Sequence, residues 1–370
     1  MANNNKHTGP NVPALRFPEF SGEWEKFQLS DLAAYSKERV KMEILSSNNY
    51  VSTENMQQDF AGIKDAISLP SSGTAVEFQV GDILISNIRP YLKKIWLSDR
   101  NGGCSTDVLA LRTKNEKVDS SFLYCCLAND DFVSYVMSGA KGVKMPRGDK
   151  QHILSYNLGV PSVQEQRRIA ELVSLLEKRI SAQSKIIEQQ ETLLKSLADS
   201  LISSQVANMA LNDCVVARLS TMKESELENP GPFPVFGASG LCGYSNEALE
   251  ESDSILVTKD GSGVGTCQYA TGAHSFLGTL CSLTAKYGVY LPYVYYALLN
   301  FNFASFKTGL AIPHIYFKDY GKAVIYCPAY DEQVRIASAL EKLEEKINTD
   351  KELLKQYQLQ KEYLLSRMFI

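Results

Sequence analysis

The strongest constraint on this chain is that it writes one helix opening twice. PSVQEQRRIAELVSLLEKRI (Pro161 to Ile180) returns as PAYDEQVRIASALEKLEEKI (Pro328 to Ile347), displaced by 167 residues from Gln166 to Gln333. Pro161, Glu165, Gln166, Arg168, Ile169, Ala170, Leu176, Glu177 and Ile180 recur as Pro328, Glu332, Gln333, Arg335, Ile336, Ala337, Leu343, Glu344 and Ile347. A shared bias toward helix formers does not reproduce residues in order at one fixed spacing, so the segment marks a duplicated unit.

Each copy opens a long helix. In the first, Ser162 and Glu165 have the spacing of an S-x-x-E capping box just after a proline. In the second, Ala329 takes the place of the serine while Glu332 remains. One heptad register fits both copies. It places Ile169, Leu176, Gln183, Gln190 and Leu197 at a, with Val173, Ile180, Ile187, Leu194 and Leu201 at d. In the second copy, Ile336, Leu343, Asp350, Tyr357 and Leu364 fall at a, and Leu340, Ile347, Leu354, Lys361 and Met368 at d. No proline or glycine interrupts either run, so both read as coiled-coil helices, with polar a positions (Gln183, Gln190, Asp350) that trade stability for register. Two arrangements are open: each helix packs on its own globular neighbour, or the two pair antiparallel as a spacer, which is the preferred reading.

The duplication extends upstream. GVKMP (Gly142 to Pro146) matches GLAIP (Gly309 to Pro313) at the same offset. GDILIS (Gly81 to Ser86) matches SDSILVT (Ser252 to Thr258), and FLYCCL (Phe122 to Leu127) matches YVYYAL (Tyr293 to Leu298), both at 171. A four-residue deletion between the landmarks reconciles the offsets. The expected fold is α+β: two tandem α/β domains separated by two long helices that pair as an antiparallel coiled coil, a pseudo-twofold repeat with the domains at opposite ends of the spacer. The expected boundaries are a floppy arm at 1–14, a first domain at 15–160, a central helix at 161–205, a second domain at 206–327 and a C-terminal helix at 328–370.

Composition narrows the function. The chain is ordinary globular material, 44% hydrophobic and 22% charged over 370 residues. The longest uncharged run, Tyr287 to Phe306, carries Pro292, Asn300 and Asn302 and reads as core, so no membrane partner is expected. The eight cysteines form no CxxC pair, which suits free thiols packed in a reducing cytoplasm, and the four histidines are dispersed. No metal site and no cofactor is called for. The overall charge of −4 gives no global signature of nucleic-acid binding. Residues 1–160 hold 18 basic and 18 acidic side chains, and residues 206–327 hold 7 and 10. Any contact with DNA therefore rests on local patches.

The chain offers no catalytic constellation. There is no adenosylmethionine loop and no methyltransferase-style [DN]-P-P-[YF] site. DGSGVG (Asp260 to Gly265) lacks the Gly-Lys-Ser/Thr ending of a phosphate loop and reads as a hairpin turn. Glu344 to Lys346 imitates a nuclease E-x-K on a coiled-coil surface. Binding has better local support. GAKGVKMPRGDK carries Lys141, Lys144, Arg147 and Lys150, and NIRPYLKK carries Arg89, Tyr91, Lys93 and Lys94. Lys259, Ser262, Lys307, His314 and Lys318 are thinner counterparts in the second domain. Backbone amides and long cations in such loops suit phosphates. Any one of these could be a solvated charge; their equivalent placement in both repeats makes the set a candidate.

The leader LRFPEFSGEWEKFQLSDLA (Leu15 to Ala33), the GDILIS strand and the two P-x-x-x-E-Q-x-R-I-A openings together resemble the specificity (S) subunit of type I restriction-modification systems. The leader has no clear copy before the second domain, where only LND (Leu211 to Asp213) echoes LSD (Leu29 to Asp31). The resemblance implies two target-recognition domains, each reading one half of a bipartite, asymmetric site in double-stranded DNA. It implies paired helices acting as a ruler, no catalytic activity, two methyltransferase subunits as partners and translocase-nuclease subunits completing a restriction enzyme. The competing expectation is a non-DNA coiled-coil scaffold joining two ligand-binding or protein-binding domains.

Overall fold

The computed structural model describes residues 11–114, 116–227, 231–309 and 312–370. The described residues fall into two compact units: those up to 182 together with 355–370, and those from 183 to 354.

The first unit is built on a four-stranded antiparallel sheet. Its order is Ala33–Tyr35, Val108–Thr113, Ile83–Ser86, Ile95–Leu97. The Ile83–Ser86 strand is buried at every position, as an apolar run at the centre of a two-sided layer requires. Two short helices, Ser120–Leu127 and Asp130–Ser138, cover one face through Phe122, Leu123, Leu127 and Phe132. A second sheet runs Arg39–Lys41, Thr74–Phe78, Gly102–Cys104, Tyr50–Val51. Outside both, Glu25–Gln28 pairs antiparallel with Asn157–Val160.

The second unit repeats the plan. Its main sheet runs Val215–Leu219, Leu280–Ala285, Ser254–Thr258, Cys267–Ala270, strand for strand the order of the first. Helix Leu291–Leu299 covers it; the long uncharged run is thus core, with Tyr293 and Tyr296 buried. A three-stranded sheet, Gly240–Ser245, Phe233–Gly237, Ser275–Phe276, stands where the first unit has four strands.

The LND echo of the leader is a structural copy of its last turn. The turn Leu29–Leu32 and the turn Leu211–Cys214 hold the same place. Leu29 N–H donates to Tyr156 O and Leu211 N–H to Ala323 O. Lys114 caps the first turn by donating to Ser30 O, and Lys286 donates to Asn212 O at 2.6 Å in the second. Of the stretch read as an arm, residues 1–10 lie outside the described residues, and Asn11 O accepts the Trp24 amide at 2.9 Å.

The long helices are Val163–Ala198 and Tyr330–Met368, 36 and 39 residues, or about 55 Å each at 1.5 Å per residue. They pair antiparallel. In the first unit Lys361 Nζ meets Glu177 Oε1 at 2.7 Å; in the second Lys351 meets Glu191 at 2.6 Å and Gln190 Nε2 donates to Asp350 Oδ2 at 2.9 Å. They also pack on their neighbours: Ile169, Val173 and Met368 join the first unit's core, and Ile187, Leu194, Ile336, Leu340 and Ile347 join the second's. Leu176 is buried as well, while Ile180, Leu343 and Leu354 are half-buried.

Three expectations need correction. Leu197 and Leu201, placed at a and d, are exposed, while Ala198 and Ile202 are buried in their stead. The core face re-phases there by four-residue steps from Leu194, and Asp199–Ser203 form a π turn that widens the helix. The capping box is only half made. Ser162 Oγ accepts the Glu165 amide at 3.4 Å, but the Glu165 carboxylate does not return to it. Arg16 takes it instead through two 2.7 Å bonds, with both side chains almost fully buried; a bidentate guanidinium outcompetes a single backbone amide. All eight cysteines are free, though Cys242 is exposed and not packed inside as expected.

Among the described residues no helix is long and apolar enough to cross a membrane.

Candidate nucleic-acid interface

In the first unit two basic stretches, far apart in sequence, are zipped together. Lys141 and Arg147 exchange backbone hydrogen bonds of 2.9 Å, closing the G-x-x-x-P segment into a narrow loop. Gly142 opens it with φ 95°, a conformation that resists a side chain. The far side of that loop lies along residues 87–89: Arg89 N–H donates to Pro146 O at 2.8 Å and Gly148 N–H to Asn87 O at 3.1 Å. Arg89 and Arg147 therefore stand on adjacent backbones, at the end of the Ile83–Ser86 strand.

The second unit builds the same platform. Thr308 and His314 exchange bonds of 2.9 and 2.8 Å, Gly309 has φ 87°, Gly261 N–H donates to Pro313 O and Ile315 N–H to Lys259 O. At Gly309 a Cβ would lie 2.4 Å from Ile312 O, so the loop depends on glycine there. Leu310 and Ala311, part of the matched GLAIP segment, lie outside the described residues. Asp260 to Gly265 forms the turn between antiparallel strands Ser254–Thr258 and Cys267–Ala270.

The cations differ in what they are free to do. Arg89, Tyr91, Lys141, Lys144, Arg147 and Lys150 are exposed, and Arg89, Lys144 and Lys150 make no ion pair with a described residue. Arg147 meets Asp107 at 3.0 Å and Lys141 meets Asp149 at 2.9 Å. The Lys141 contact, with the amides of His152 and Gln151, holds the Asp149 carboxyl down at about 2. Asp149 also caps helix Lys150–Leu154. Lys93 and Lys94 are half-buried and engaged elsewhere. Lys93 pairs with Asp130 at 2.7 Å, which raises its pKa, and Lys94 donates to Thr53 O, its pKa lowered by burial and then by Arg89. In the second unit Lys307, Lys318 and Ser262 are exposed, Lys259 pairs with neighbouring Asp260, and Lys318 Nζ sits 5.2 Å over the Tyr316 ring, which His314 also meets.

One pairing was invisible in sequence. Ser254 Oγ and His274 Nε2 lie 2.9 Å apart, with His274 Nδ1 on Gly272 O. Both side chains are fully buried, and this is a satisfied core histidine rather than a nucleophile and base facing a substrate. Among the described residues no cluster of His, Cys, Asp and Glu could hold a metal.

The family model for the type I restriction modification DNA specificity domain matches this chain twice, over residues 21–191 and 204–357. The chain belongs to the type I DNA specificity family. The two matches fall on the two copies of the repeat. A type I restriction enzyme EcoDI specificity subunit from Escherichia coli is 28% identical over 100 residues, 27% of this chain and 22% of that protein. The MjaVIII specificity subunit from Methanocaldococcus jannaschii is 25% identical over 197 residues, 52% of this chain and 44% of that one. The matches thus span less than half the length of these relatives. Among solved structures, the S subunit of a type I restriction-modification system from M. genitalium superposes with TM-score 0.67 at 19% identity, covering 97% of this chain and 99% of that one. A chain from a type I R-M system, solved for complex assembly and conformational transition, reaches 0.55 at 18% identity, covering 93% and 97%. At these identities the superpositions speak for the fold: two specificity domains of mixed helix and sheet, joined by long helices.

Proposed function

We propose that this chain is the sequence-specific DNA-recognition subunit of a type I restriction-modification complex. Residues 15–160 and 206–327 are its target-recognition domains, each reading one half of a bipartite, asymmetric site in double-stranded DNA. Helices 161–205 and 328–370 set the gap between half-sites and dock two methyltransferase subunits; translocase-nuclease subunits complete the restriction enzyme. The chain itself does no chemistry and acts in the cytoplasm.

The observation that carries this reading is the duplicated platform, a closed G-x-x-x-P loop laid on the end of the same sheet strand in both units. A loop fixed at both ends presents cations at a defined height, which suits phosphates and groove edges better than a mobile tail. Arg89, Lys144 and Lys150 are the first domain's free cations and Arg147 its guanidinium at the loop's closing strand. Lys307, His314 and Lys318 are the second domain's counterparts, with Lys259 and Ser262 in the adjoining turn. The weak charge of the second domain fits a complex in which methyltransferase subunits supply much of the phosphate neutralisation.

Fluorescence anisotropy of the chain co-purified with its methyltransferase, on target duplex across a salt series, tests the reading. Binding should weaken steeply with salt, and the R89A K144A double variant should flatten the slope by about two phosphate contacts. Salt-insensitive behaviour without duplex binding would favour the non-DNA scaffold.

A further inference from the structure

Both closed loops carry a large apolar side chain at the same point, directly before the proline. Met145 in the first is 48% exposed and Ile312 in the second 66%, and Val143 beside Met145 is 99% exposed. Single exposed apolar residues are ordinary on a soluble protein. Here, however, two loops identical only at glycine and proline keep a large apolar residue directly before the proline, Met145 in one and Ile312 in the other, although Lys144 beside it has become Ala311. The ends of each loop are fixed: paired backbone bonds join Lys141 to Arg147 and Thr308 to His314, Gly142 and Gly309 take positive φ, and the Pro146 and Pro313 carbonyls accept amides from the neighbouring strand end. Basic side chains flank Met145 directly, Lys144 and Arg147; on the second loop His314 stands at the closing pair and Lys307 one residue outside it.

We propose that Met145 and Ile312 are apolar wedges that enter a groove of the DNA duplex and part stacked bases, one in each half-site. The proposal rests on the DNA-recognition reading and adds how the DNA is deformed. Cations beside the wedge hold the phosphates, and burial of the apolar side chain against exposed base faces offsets the cost of unstacking. Partner choice follows from the surroundings. An apolar tip framed by basic side chains complements a polyanion with an apolar stack inside it, whereas a protein-docking patch would spread over a wider apolar area. The first loop carries Lys144 where the second has Ala311, so Ile312 carries a larger share of the contact in its half-site. Because the deformability of a base step depends on its sequence, such wedges also contribute selectivity at steps that no side chain hydrogen-bonds.

The test uses the full chain with its methyltransferase subunits and a target duplex carrying 2-aminopurine at successive steps of each half-site. Wild type should raise fluorescence at one step in each half other than the target adenine, which a methyltransferase takes out of the stack on its own. Met145→Ser should abolish the rise in one half-site only and weaken binding about tenfold with an unchanged salt slope; Ile312→Ser should do the same in the other half. Met145→Leu should keep the signal. The wedge is overturned if both serine variants leave the fluorescence unchanged, or if they lose the methyltransferase subunits while DNA distortion persists. Lys144→Glu separates the two readings: weakened binding beside unaffected serine variants would leave DNA recognition standing and the wedge refuted. A wild-type complex that binds no duplex would bring down both.

Discussion

Gln166 accepts the amide N–H of Asp119 at 2.7 Å, and Asp119 is the residue that caps helix Ser120–Leu127. From Nε2 it donates to the carbonyls of Lys117 and Pro161, both at 2.8 Å. Gln333 does the same in the second unit. It accepts from Tyr290, the residue preceding helix Leu291–Leu299, at 2.8 Å and donates to Pro328 O at 2.8 Å. Both side chains are buried, 0% and 2% exposed. The repeated Glu-Gln is therefore a joint: its glutamine fastens the start of a long helix to the start of the helix that covers the sheet.

Gln166→Leu leaves the buried Pro161 carbonyl, and the part-buried Asp119 amide and Lys117 carbonyl, without their partner. Each orphaned group costs about 1–3 kcal/mol, and some will find water, so the variant should lose about 2–4 kcal/mol. Urea denaturation checks this; a loss below about 0.5 kcal/mol, the ordinary effect of a surface change, would contradict it. Gln333→Leu should behave alike.

Arg16 and Glu165 form a buried bidentate pair, so removing one partner strands a charge. Arg16→Met should destabilise by about 3–5 kcal/mol, while the double variant with Glu165→Leu should recover much of that. A double-mutant cycle reads the coupling, and additive losses would contradict the pairing.

Asp350 sits at 5% exposure between the helices, taking Gln190 Nε2 at 2.9 Å and Lys346 Nζ at 2.7 Å, with Gln183 near its carbonyl. Asp350→Ala alone should lower the melting temperature by leaving Gln190 and Lys346 without their carboxylate partner. Replacing Gln183, Gln190 and Asp350 together by leucine should raise it, by several degrees, at some cost in register. Thermal melts of the two variants that move in one direction would refute the polar layer.

Asp149 ties the basic loop to helix Lys150–Leu154, and its folded pKa of about 2 is depressed below the ordinary value, about 3.9. A depressed carboxylate stabilises above its unfolded pKa and loses that contribution as pH falls toward the folded one. Loop order, followed by amide exchange at His152, should therefore fall between about pH 4 and 2. Asp149→Asn should show no such step; an identical acid profile would contradict the assignment.

The repeat carried much of the fold into view. Ile169, Val173, Leu176, Ile336, Leu340 and Ile347 lie at heptad positions because a helix seam has a fixed period, and local periodicity needs no knowledge of the partner. What sequence could not show was long-range choice. Glu165 leaves its cap for Arg16, 149 residues away, and Leu197 and Leu201 turn outward because the π turn and the second unit's core set the phase. The LND echo of LSD was legible, but that Lys114 and Lys286 fasten the two turns by the same lysine-to-carbonyl bond was not. At the candidate interface the cations were legible as residue types. Their partners were not: that Lys93 is paired with Asp130, and Arg89 laid beside Arg147, depends on which backbones meet.

The most direct measurement is the methylome of cells that express this chain with its methyltransferase subunits and lack other adenine methylation. The methylome should show one split motif, two short unlike half-sites separated by a fixed run of unspecified bases. Substituting Arg89 and Lys144 in the first domain should blur one half alone. An unsplit palindrome, or no methylation from a correctly assembled complex, would contradict the DNA-recognition reading.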